Sequence, residues 1–262
     1  MQDKVRRLEE ILRAHSPLLV AYSGGVDSAC LLAVAQRTLG AAVLGVIADS
    51  PSLPREALVE ALAVARGLGA QVEVVSTQEF EDERYLSNPV NRCYFCKAEL
   101  FARMDELGRE RNFAAIAYGE NADDPAHLRP GSQAAQEFAV LAPLKQAGLT
   151  KADVRELSRQ LGLPTADAPA QPCLSSRIPH GTRVTRDALA LVERGEALVR
   201  SLGFRVVRVR YLEGETVGAR VQVGVEELPL LDRVRVAVVE GLVGAGFGFV
   251  EIDEAGYRGA TA

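Results

Sequence analysis

A glycine-rich hexapeptide near the start of the chain has the residue types needed to hold a polyphosphate. Residues 23–28 read Ser-Gly-Gly-Val-Asp-Ser and lie between a short apolar run and an apolar-periodic stretch. Gly24 and Gly25 allow the backbone to turn sharply and to approach a ligand closely. The amides of such a loop and the N-terminus of the following helix point at one anion. Ser23 and Ser28 can add hydroxyl donors, so the segment predicts a phosphate site.

The carboxylate of Asp27 inside this loop indicates that a metal ion accompanies the phosphates. A carboxylate repels bare phosphate unless Mg²⁺ lies between the two groups. The loop lacks the Gly-x-x-x-x-Gly-Lys-Ser/Thr pattern, whose lysine serves γ-phosphoryl transfer, and the Gly-x-Gly-x-x-Gly pattern of dinucleotide sites. We therefore predict a metal-bridged polyphosphate. The simpler alternative is a tight turn between strand and helix with a capping serine.

Three of the four cysteines have a spacing that suggests chemistry rather than a disulfide framework. Cys93 and Cys96 lie at the start of a predicted helix, where the two thiolates can point to one side and the positive helix end favours the thiolate form. Cys173 follows in a proline-rich segment. Metal binding, sulfur donation and a redox pair all remain open at this point. Cys30 lies within an apolar helix and is predicted to be part of the core.

Polar side chains that could contact a ligand follow predicted strands or lie beside the cysteines. Each has a simpler alternative, which is a solvated surface residue or a polar turn. Arg208 and Arg210 alternate along one predicted strand and therefore face the same side, and arginine forks match phosphate geometry. The other candidates are Lys97, Arg129, Asp49 and Ser50 after the second strand, Asp123 and Asp124 after the fourth, and Ser176 and Arg177 beside Cys173.

The elements that must position these residues alternate between strand and helix over the first part of the chain. Such an alternation predicts a doubly wound parallel sheet, an α/β fold that binds ligands at the carboxyl ends of its strands. The predicted strands are 18–22, 42–48, 71–75 and 114–118, and the predicted helices are 28–39, 55–68, 97–111 and 150–161, with Thr150 as N-cap.

Four prolines between positions 164 and 179 indicate a linker, so we predict domains at 1–170 and 171–262. The second is a small α+β domain, with predicted helices at 185–202 and 230–243 and strands at 206–211, 219–223 and 247–252.

Composition places the chain among ordinary globular proteins. It has 262 residues, of which 48% are hydrophobic and 25% charged, which is enough to bury a sizeable core. No apolar run reaches the roughly 18 residues of a membrane span, and the start is too charged for a secretory signal. We therefore expect a cytoplasmic protein. A net charge of -5 argues against a broadly basic nucleic-acid platform.

The hexapeptide matches the PP-loop of the ATP pyrophosphatases, which cleave ATP between the α and β phosphates and adenylate a substrate. Over roughly residues 4 to 257, the chain resembles the ATP-dependent sulfur transferases of the LarE family. The segments that carry this resemblance, besides the loop, are Cys93-Tyr94-Phe95-Cys96-Lys97, Gly119-Glu120-Asn121-Ala122-Asp123-Asp124 with Arg129-Pro130-Gly131, Pro172-Cys173-Leu174-Ser175-Ser176-Arg177-Ile178-Pro179-His180-Gly181-Thr182, and 201–210.

The resemblance implies that a carboxylate of a pyridinium biscarboxylate mononucleotide is adenylated with ATP and Mg²⁺, and that sulfur then gives a thiocarboxylate for the nickel-pincer nucleotide cofactor. It also implies a homo-oligomer, a trimer or hexamer. The resemblance implies that the catalytic residues are Asp27, Lys97 and Cys173. It implies that ATP is bound by Ser23, Gly24, Gly25, Asp27, Ser28, Asp49, Ser50, Gly119, Asp123 and Asp124. It implies that the substrate is bound by Arg129, Ser176, Arg177, Glu196, Arg208 and Arg210.

The source of the sulfur differs within this family. Some members sacrifice a cysteine, which becomes dehydroalanine, whereas others hold a [4Fe-4S] cluster on three cysteines. Cys93, Cys96 and Cys173 fit the second pattern. A cysteine acting as direct donor or in a redox pair, and a zinc site, are the alternatives, although structural zinc usually takes four protein ligands.

Three other functions compete with this interpretation. A tRNA 2-thiolation enzyme uses the same adenylation and sulfur chemistry, but it should present a basic RNA-binding surface, and the chain has 30 basic against 35 acidic residues. An amide-forming, ammonia-using synthetase has no use for three thiols. A non-catalytic nucleotide-binding module would not need Asp27 in its loop.

Overall fold

The computed structural model describes residues 1–125 and 130–257. The chain divides into two units, each with its own internal contacts. The first contains Met1–Asp82 and Asn91–Ala168, and the second contains Glu83–Val90 and the residues from Pro169 onward. Arg129, one of the predicted substrate residues, lies outside the described residues.

The helices longer than one 3₁₀ turn are, in chain order, α1 Gln2–Ala14, α2 Val26–Leu39, α3 Arg55–Gly67, α4 Glu83–Leu86, α5 Arg92–Arg111, α6 Pro130–Glu137, α7 Pro143–Gln146, α8 Lys151–Gln160, α9 Arg186–Ser201 and α10 Leu228–Ala245. The strands are β1 Leu18–Ala21, β2 Val43–Asp49, β3 Val72–Ser76, β4 Ala115–Tyr118, β5 Val207–Leu212, β6 Gly218–Val223 and β7 Phe249–Ile252. Among the described residues, no helix is long and apolar enough to cross a membrane.

A four-stranded parallel sheet in the order β3-β2-β1-β4 forms the centre of the first unit. Leu18 and Val20 pack into one core with α1, α2 and α8, whereas Leu19 packs into a second core with α5 and α6. Both faces are therefore buried, which explains why β1 reads as a continuous apolar run. The predicted α/β fold with a doubly wound parallel sheet is confirmed.

The register of this sheet brings two strand ends together. Ala21, the last residue of β1, lies opposite Tyr118, the last residue of β4. The segments that follow both strands therefore leave the sheet side by side at its carboxyl edge, where ligands bind in such folds.

The second unit contains a three-stranded sheet in the order β5-β6-β7, antiparallel between β5 and β6 and parallel between β6 and β7. Its core includes Val199 from α9, Val209 and Val221 from the sheet, and Leu242 from α10. The apolar alternation of β5 and β6 supplies the side of the sheet that faces these helices.

Helix termini show where the sequence was informative and where it was not. Thr150 caps α8 in a capping box with Asp153, as predicted. The predicted helix 97–111 was placed too late, because it begins at Arg92 and includes Cys93 and Cys96 in its first turns. The eight-residue helix α6 was not predicted at all.

Removing the cap of α9 should destabilise the protein without touching the first unit. The Thr185 hydroxyl accepts a hydrogen bond from the Ala188 amide at 3.1 Å. We expect Thr185→Ala to lower the free energy of unfolding by about 1 kcal/mol in urea titration. Thr185→Ser retains the hydroxyl and should stay close to the parent; an equal loss in both variants would contradict the assigned cap.

Candidate active site

The PP-loop connects β1 to α2 and is closed by serine hydrogen bonds. The Ser28 hydroxyl donates to the Gly25 carbonyl at 3.0 Å and accepts from the Ser23 amide at 3.2 Å, and the two serine hydroxyls lie 3.1 Å apart. Gly24 has a φ of 77°, and a Cβ there would lie 2.7 Å from the Ala61 Cβ of α3. Glycine is therefore required at position 24 both for its φ and for this contact.

The segment after β4 packs directly on this loop. A Cβ on Gly119 would lie 2.7 Å from the Ser28 backbone nitrogen and 2.9 Å from the Asp27 carbonyl carbon. Real Cβ atoms do not approach backbone this closely, so only glycine allows the two strand ends to meet. The contact places the side chains that follow Gly119 beside the phosphate loop.

A cavity of about 230 Å³ opens at this edge of the first unit. The PP-loop supplies its polar end through Ser23, Gly25, Asp27 and Ser28, whereas aliphatic and aromatic side chains supply most of the remainder. A polar, amide-rich end beside an apolar wall suits a nucleotide whose phosphates face the loop. The other lining residues are Ala21, Tyr22, Ile47, Ala48, Leu53, Lys97, Leu100, Phe101, Tyr118 and Gly119.

Asp27 has two partners that the sequence analysis missed. Its carboxylate accepts a hydrogen bond from Lys151 Nζ at 2.5 Å and another from Asn121 Nδ2 at 3.3 Å. Lys151 is the first residue of α8, and a lysine there opposes the helix dipole. That unfavourable position was the available sequence signal for a functional lysine.

Glu120 is the second group that the sequence analysis quoted without assigning. It accepts hydrogen bonds from the Tyr118 hydroxyl at 2.5 Å and from Ser132 Oγ at 2.7 Å, and Lys145 Nζ lies 3.4 Å away. Burial alone would raise the pKa of Glu120, but these partners outweigh burial and lower it. Burial and the neighbouring Glu120 raise the pKa of Tyr118. The pair therefore remains a tyrosine donor and a carboxylate acceptor.

The predicted catalytic residue Lys97 and the remaining predicted ATP residues differ in how close they come to the cavity. Lys97 lines it, with Nζ 4.6 Å from the centroid of the Tyr118 ring. Asp123 accepts from the Lys151 amide at 2.7 Å, and Asp124 accepts from the Asn121 amide at 3.1 Å, so both shape the loop after β4. Asp49 and Ser50 are not among the lining residues; Asp49 pairs with Arg55 at 2.7 Å, and the Ser50 hydroxyl lies 2.8 Å from that of Ser52.

The cysteines fall in both units. Cys93 is exposed and Cys96 half-buried in the first turns of α5, and half-buried Cys173 precedes the 3₁₀ turn Leu174–Arg177 of the second unit. Across residues 1–125 and 130–257, no three His, Cys, Asp or Glu side chains are grouped to hold a metal ion. Cys30 is fully buried, and burial raises the pKa of its thiol to about 11, which confirms its predicted place in the core.

Within the second unit, two predicted substrate residues pair with each other. Arg177 donates to both Glu196 oxygens, at 2.8 and 3.1 Å, and both side chains are almost completely buried. Glu196 also accepts from Arg200 at 2.9 Å and from the Val209 amide at 3.1 Å. Arg177 further donates to the Cys173 carbonyl at 2.9 Å. This network holds the turn after Cys173 against α9 and β5.

Arg208 and Arg210 lie on the same face of β5. Arg208 is buried, donates to the carbonyls of Val207 and Ala170, and lies with its guanidinium carbon 4.9 Å from the centroid of the Tyr257 ring. Among the residues that the structure describes, its Nε has no hydrogen-bond partner. Burial and the neighbouring Arg177 lower the pKa of Arg208. Arg210 donates to Gln222 at 2.6 Å and to the Ser176 carbonyl at 3.3 Å. The unit thus buries the guanidinium groups of Arg177 and Arg208, and within the described part of the chain the Nε of Arg208 is an unused donor.

Comparison with known proteins shows which sequences this chain is similar to. No protein-family model matches the chain. An uncharacterized protein of Synechocystis sp. is 38% identical over 260 residues, which cover 98% of this chain and 96% of that protein. The pyridinium-3,5-bisthiocarboxylic acid mononucleotide synthase of Lactiplantibacillus plantarum is 33% identical over 98% of this chain and 93% of its own. The GMP synthase of Thermomicrobium roseum is 30% identical, over 76% of this chain and 42% of that protein.

The parallel sheet with a Ser-Gly-Gly-Val-Asp-Ser loop at its carboxyl edge defines an ATP pyrophosphatase of the PP-loop class. The similarity to the synthase of L. plantarum extends over nearly the whole of both proteins. The chain therefore belongs to the LarE family of ATP-dependent sulfur transferases.

Removing the lysine that contacts Asp27 should affect activity more than stability. We expect Lys151→Ala to lower the rate of pyrophosphate release about 10-fold or more, because a positive charge beside the phosphate loop is lost. The half-exposed pair contributes less than about 1 kcal/mol to folding. Lys4→Ala removes the comparable Lys4–Asp153 pair away from the loop and serves as control. Equal rates for the two variants would contradict a role for Lys151.

Proposed function

We propose that this chain is an ATP-dependent sulfur transferase. It adenylates a carboxylate of a pyridinium biscarboxylate mononucleotide, releases pyrophosphate and replaces the activated oxygen with sulfur, which yields a thiocarboxylate for nickel-pincer cofactor synthesis. The observation that carries this proposal is the similarity over nearly the full length to a pyridinium-3,5-bisthiocarboxylic acid mononucleotide synthase. Such an enzyme would work in the cytoplasm on small molecules, and the net charge of -5 argues against a nucleic-acid substrate.

The loop end of the cavity is proposed to hold the triphosphate. The amides at the start of α2 and the hydroxyls of Ser23 and Ser28 would bind phosphate oxygens, and Asp27 would hold Mg²⁺. This donor set suits Mg²⁺, which usually binds one or two carboxylates together with substrate phosphates. Bound there, Mg²⁺ neutralises phosphate charge. Four further residues remain proposed ATP residues, and they would act by shaping the loops around the cavity. These are Asp49, Ser50, Asp123 and Asp124.

The chemistry consists of two substitutions. A carboxylate oxygen attacks the α-phosphorus, the bond from that phosphorus to the bridging oxygen breaks, and pyrophosphate leaves. A sulfide sulfur then attacks the acyl carbon, and AMP leaves with the original carboxylate oxygen. If a cysteine thiolate attacks instead, the resulting thioester must also lose its Cβ–S bond and the Cα proton of that cysteine, which leaves dehydroalanine and the thiocarboxylate. Adenylation is needed because a carboxylate is a poor electrophile. Lys97 would stabilise the negative charge that develops on the α-phosphate, since its ammonium lines the same cavity.

The second unit is proposed to bind the substrate. The partnerless Nε of buried Arg208 supports an anion site there, because a buried donor without an acceptor is costly. Arg177, Arg210 and Ser176 would contribute to the same site, with Glu196 holding Arg177 in place. The proposed ATP domain is 1–170, and the proposed substrate and oligomerisation domain is 171–262. Arg129 remains a proposed substrate residue. The proposed assembly is a homo-oligomer, either a trimer or a hexamer.

The sulfur is proposed to reach the acyl adenylate through the cysteines. Cys93 and Cys96 lie about one turn apart in the first turns of α5, a spacing that can present two sulfur atoms to one ligand. Together with Cys173 they are the proposed ligands of a [4Fe-4S] cluster. Such a cluster, with three protein thiolates, leaves one iron open to carry a sulfide.

Two substitutions should separate adenylation from sulfur transfer. Asp27→Ala should abolish release of pyrophosphate, whereas Asp3→Ala, at an exposed position of α1, should not change it. Cys173→Ala should release pyrophosphate at a near-parent rate and form no thiocarboxylate, as measured by phosphate assay and mass spectrometry. Pyrophosphate release by Asp27→Ala would reject the ATP site, and an unchanged thiocarboxylate yield in Cys173→Ala would remove this cysteine from the mechanism.

Elemental analysis tests the cluster separately from the activity. After anaerobic purification and reconstitution we expect about four iron atoms and four sulfides per chain. Both should be lost when Cys93, Cys96 or Cys173 is replaced by alanine, and retained in Cys30→Ala, whose thiol is buried in the core. Protein without iron that loses one sulfur atom during turnover would instead identify a sacrificial cysteine.

A further inference from the structure

The side chain of Lys97 runs across the first turn of α6. A side chain at Gly131, in that turn, would collide with the lysine. A Cβ built on Gly131 would lie 2.6 Å from Lys97 Cδ, 3.0 Å from Cε and 3.2 Å from Nζ. These three atoms are the nearest heavy atoms to that position, outside the glycine and its own helix. The end of the lysine therefore occupies the space in which any other residue at position 131 would begin its side chain.

The aromatic ring of Tyr118 also contacts this lysine. Lys97 Nζ lies 4.6 Å from the ring centroid, the geometry of a cation–π contact. The ring is held at its far end, because the Tyr118 hydroxyl donates to Glu120 at 2.5 Å. Glu120 in turn accepts from Ser132, the residue next to Gly131 in α6. Ser132, which holds Glu120, and Gly131, which admits the lysine, thus lie in the same helical turn.

We propose that Gly131 and Tyr118 are positioning residues that hold the Lys97 ammonium in the cavity, and we call the space between them the lysine slot. The inference rests on the proposed function only in assigning Lys97 a role at the α-phosphate. An ammonium that stabilises charge in a transition state must be placed within a fraction of an ångström, and small displacements cost large factors in rate. A side chain at position 131 would displace the flexible end of the lysine, so glycine there serves the placement of the ammonium.

A double-mutant cycle tests the slot against a general structural role for the glycine. Gly131→Ala should lower kcat for pyrophosphate release about 10-fold or more, with the KM for ATP within about twofold of the parent. In a Lys97→Ala background, the same substitution should change kcat by less than about twofold, because the atoms that it would meet are gone. An equal fall in both backgrounds would overturn the proposal.

The same double-mutant cycle can be measured through the melting temperature without ligands, which makes it independent of activity. Gly67→Ala, at the end of α3 with no heavy atom within 4 Å of its built Cβ, controls for the general effect of a helical glycine. Relative to that control, Gly131→Ala should lower the melting temperature when Lys97 is present and not when it is alanine. If the melting cycle shows this coupling but Lys97→Ala releases pyrophosphate normally, the proposed role of Lys97 fails while the slot stands. If no coupling is found, the slot itself is wrong.

Discussion

The approach of Gly119 to the first turn of α2 is the constraint on which the ATP end of the molecule depends. Strand order places β4 beside β1, and the 2.7 Å separation between a built Cβ and the Ser28 nitrogen leaves no room for a side chain. Because the two strand ends meet so closely, the residues after β4 can reach the phosphate loop. Asn121 then contacts Asp27, and Tyr118, whose hydroxyl donates to Glu120, lies at the cavity wall next to Lys97.

Charge around the loop is arranged so that each carboxylate has a cationic or hydrogen-bonding partner. Asp27 is paired with Lys151, and Glu120 is surrounded by Tyr118, Ser132 and Lys145. The partners of Glu120 lower its pKa despite burial. Asp27 is the carboxylate of the loop itself, and such a group together with substrate phosphates suits Mg²⁺. The cations also offset the charge of an incoming triphosphate. The loop therefore needs no lysine of its own, unlike the loops that serve γ-phosphoryl transfer.

The sequence predicted the parts of this site that are local. The loop hexapeptide, the alternation of strands with helices and the cap at Thr150 all follow from neighbouring residues, and the structure bears out the fold. It did not predict the partner of Asp27, because Lys151 is 124 positions away and only the packing of α8 against α2 brings them together. The helix α6 was missed because its small and polar residues give a weak apolar periodicity.

The second unit shows a different limit of prediction from sequence. Glu196 was selected as a substrate residue from resemblance alone, whereas Arg177 and Arg208 were selected also from their residue type and placement. The structure adds that Arg177 and Glu196 form a buried pair. A sequence cannot distinguish an arginine that binds a ligand from one that pairs with a glutamate 19 positions later. The partnerless Nε of Arg208 is a three-dimensional observation with no counterpart in the sequence.

Transfer of oxygen from the substrate to AMP tests the central claim most directly. The substrate nucleotide, labelled with ¹⁸O in its carboxylates, would be turned over with ATP, and the AMP would be examined by mass spectrometry. If a carboxylate is adenylated and sulfur then displaces AMP, each AMP formed carries one ¹⁸O atom from the carboxylate. Unlabelled AMP, or ADP in its place, would contradict cleavage of ATP by a substrate carboxylate in the PP-loop cavity.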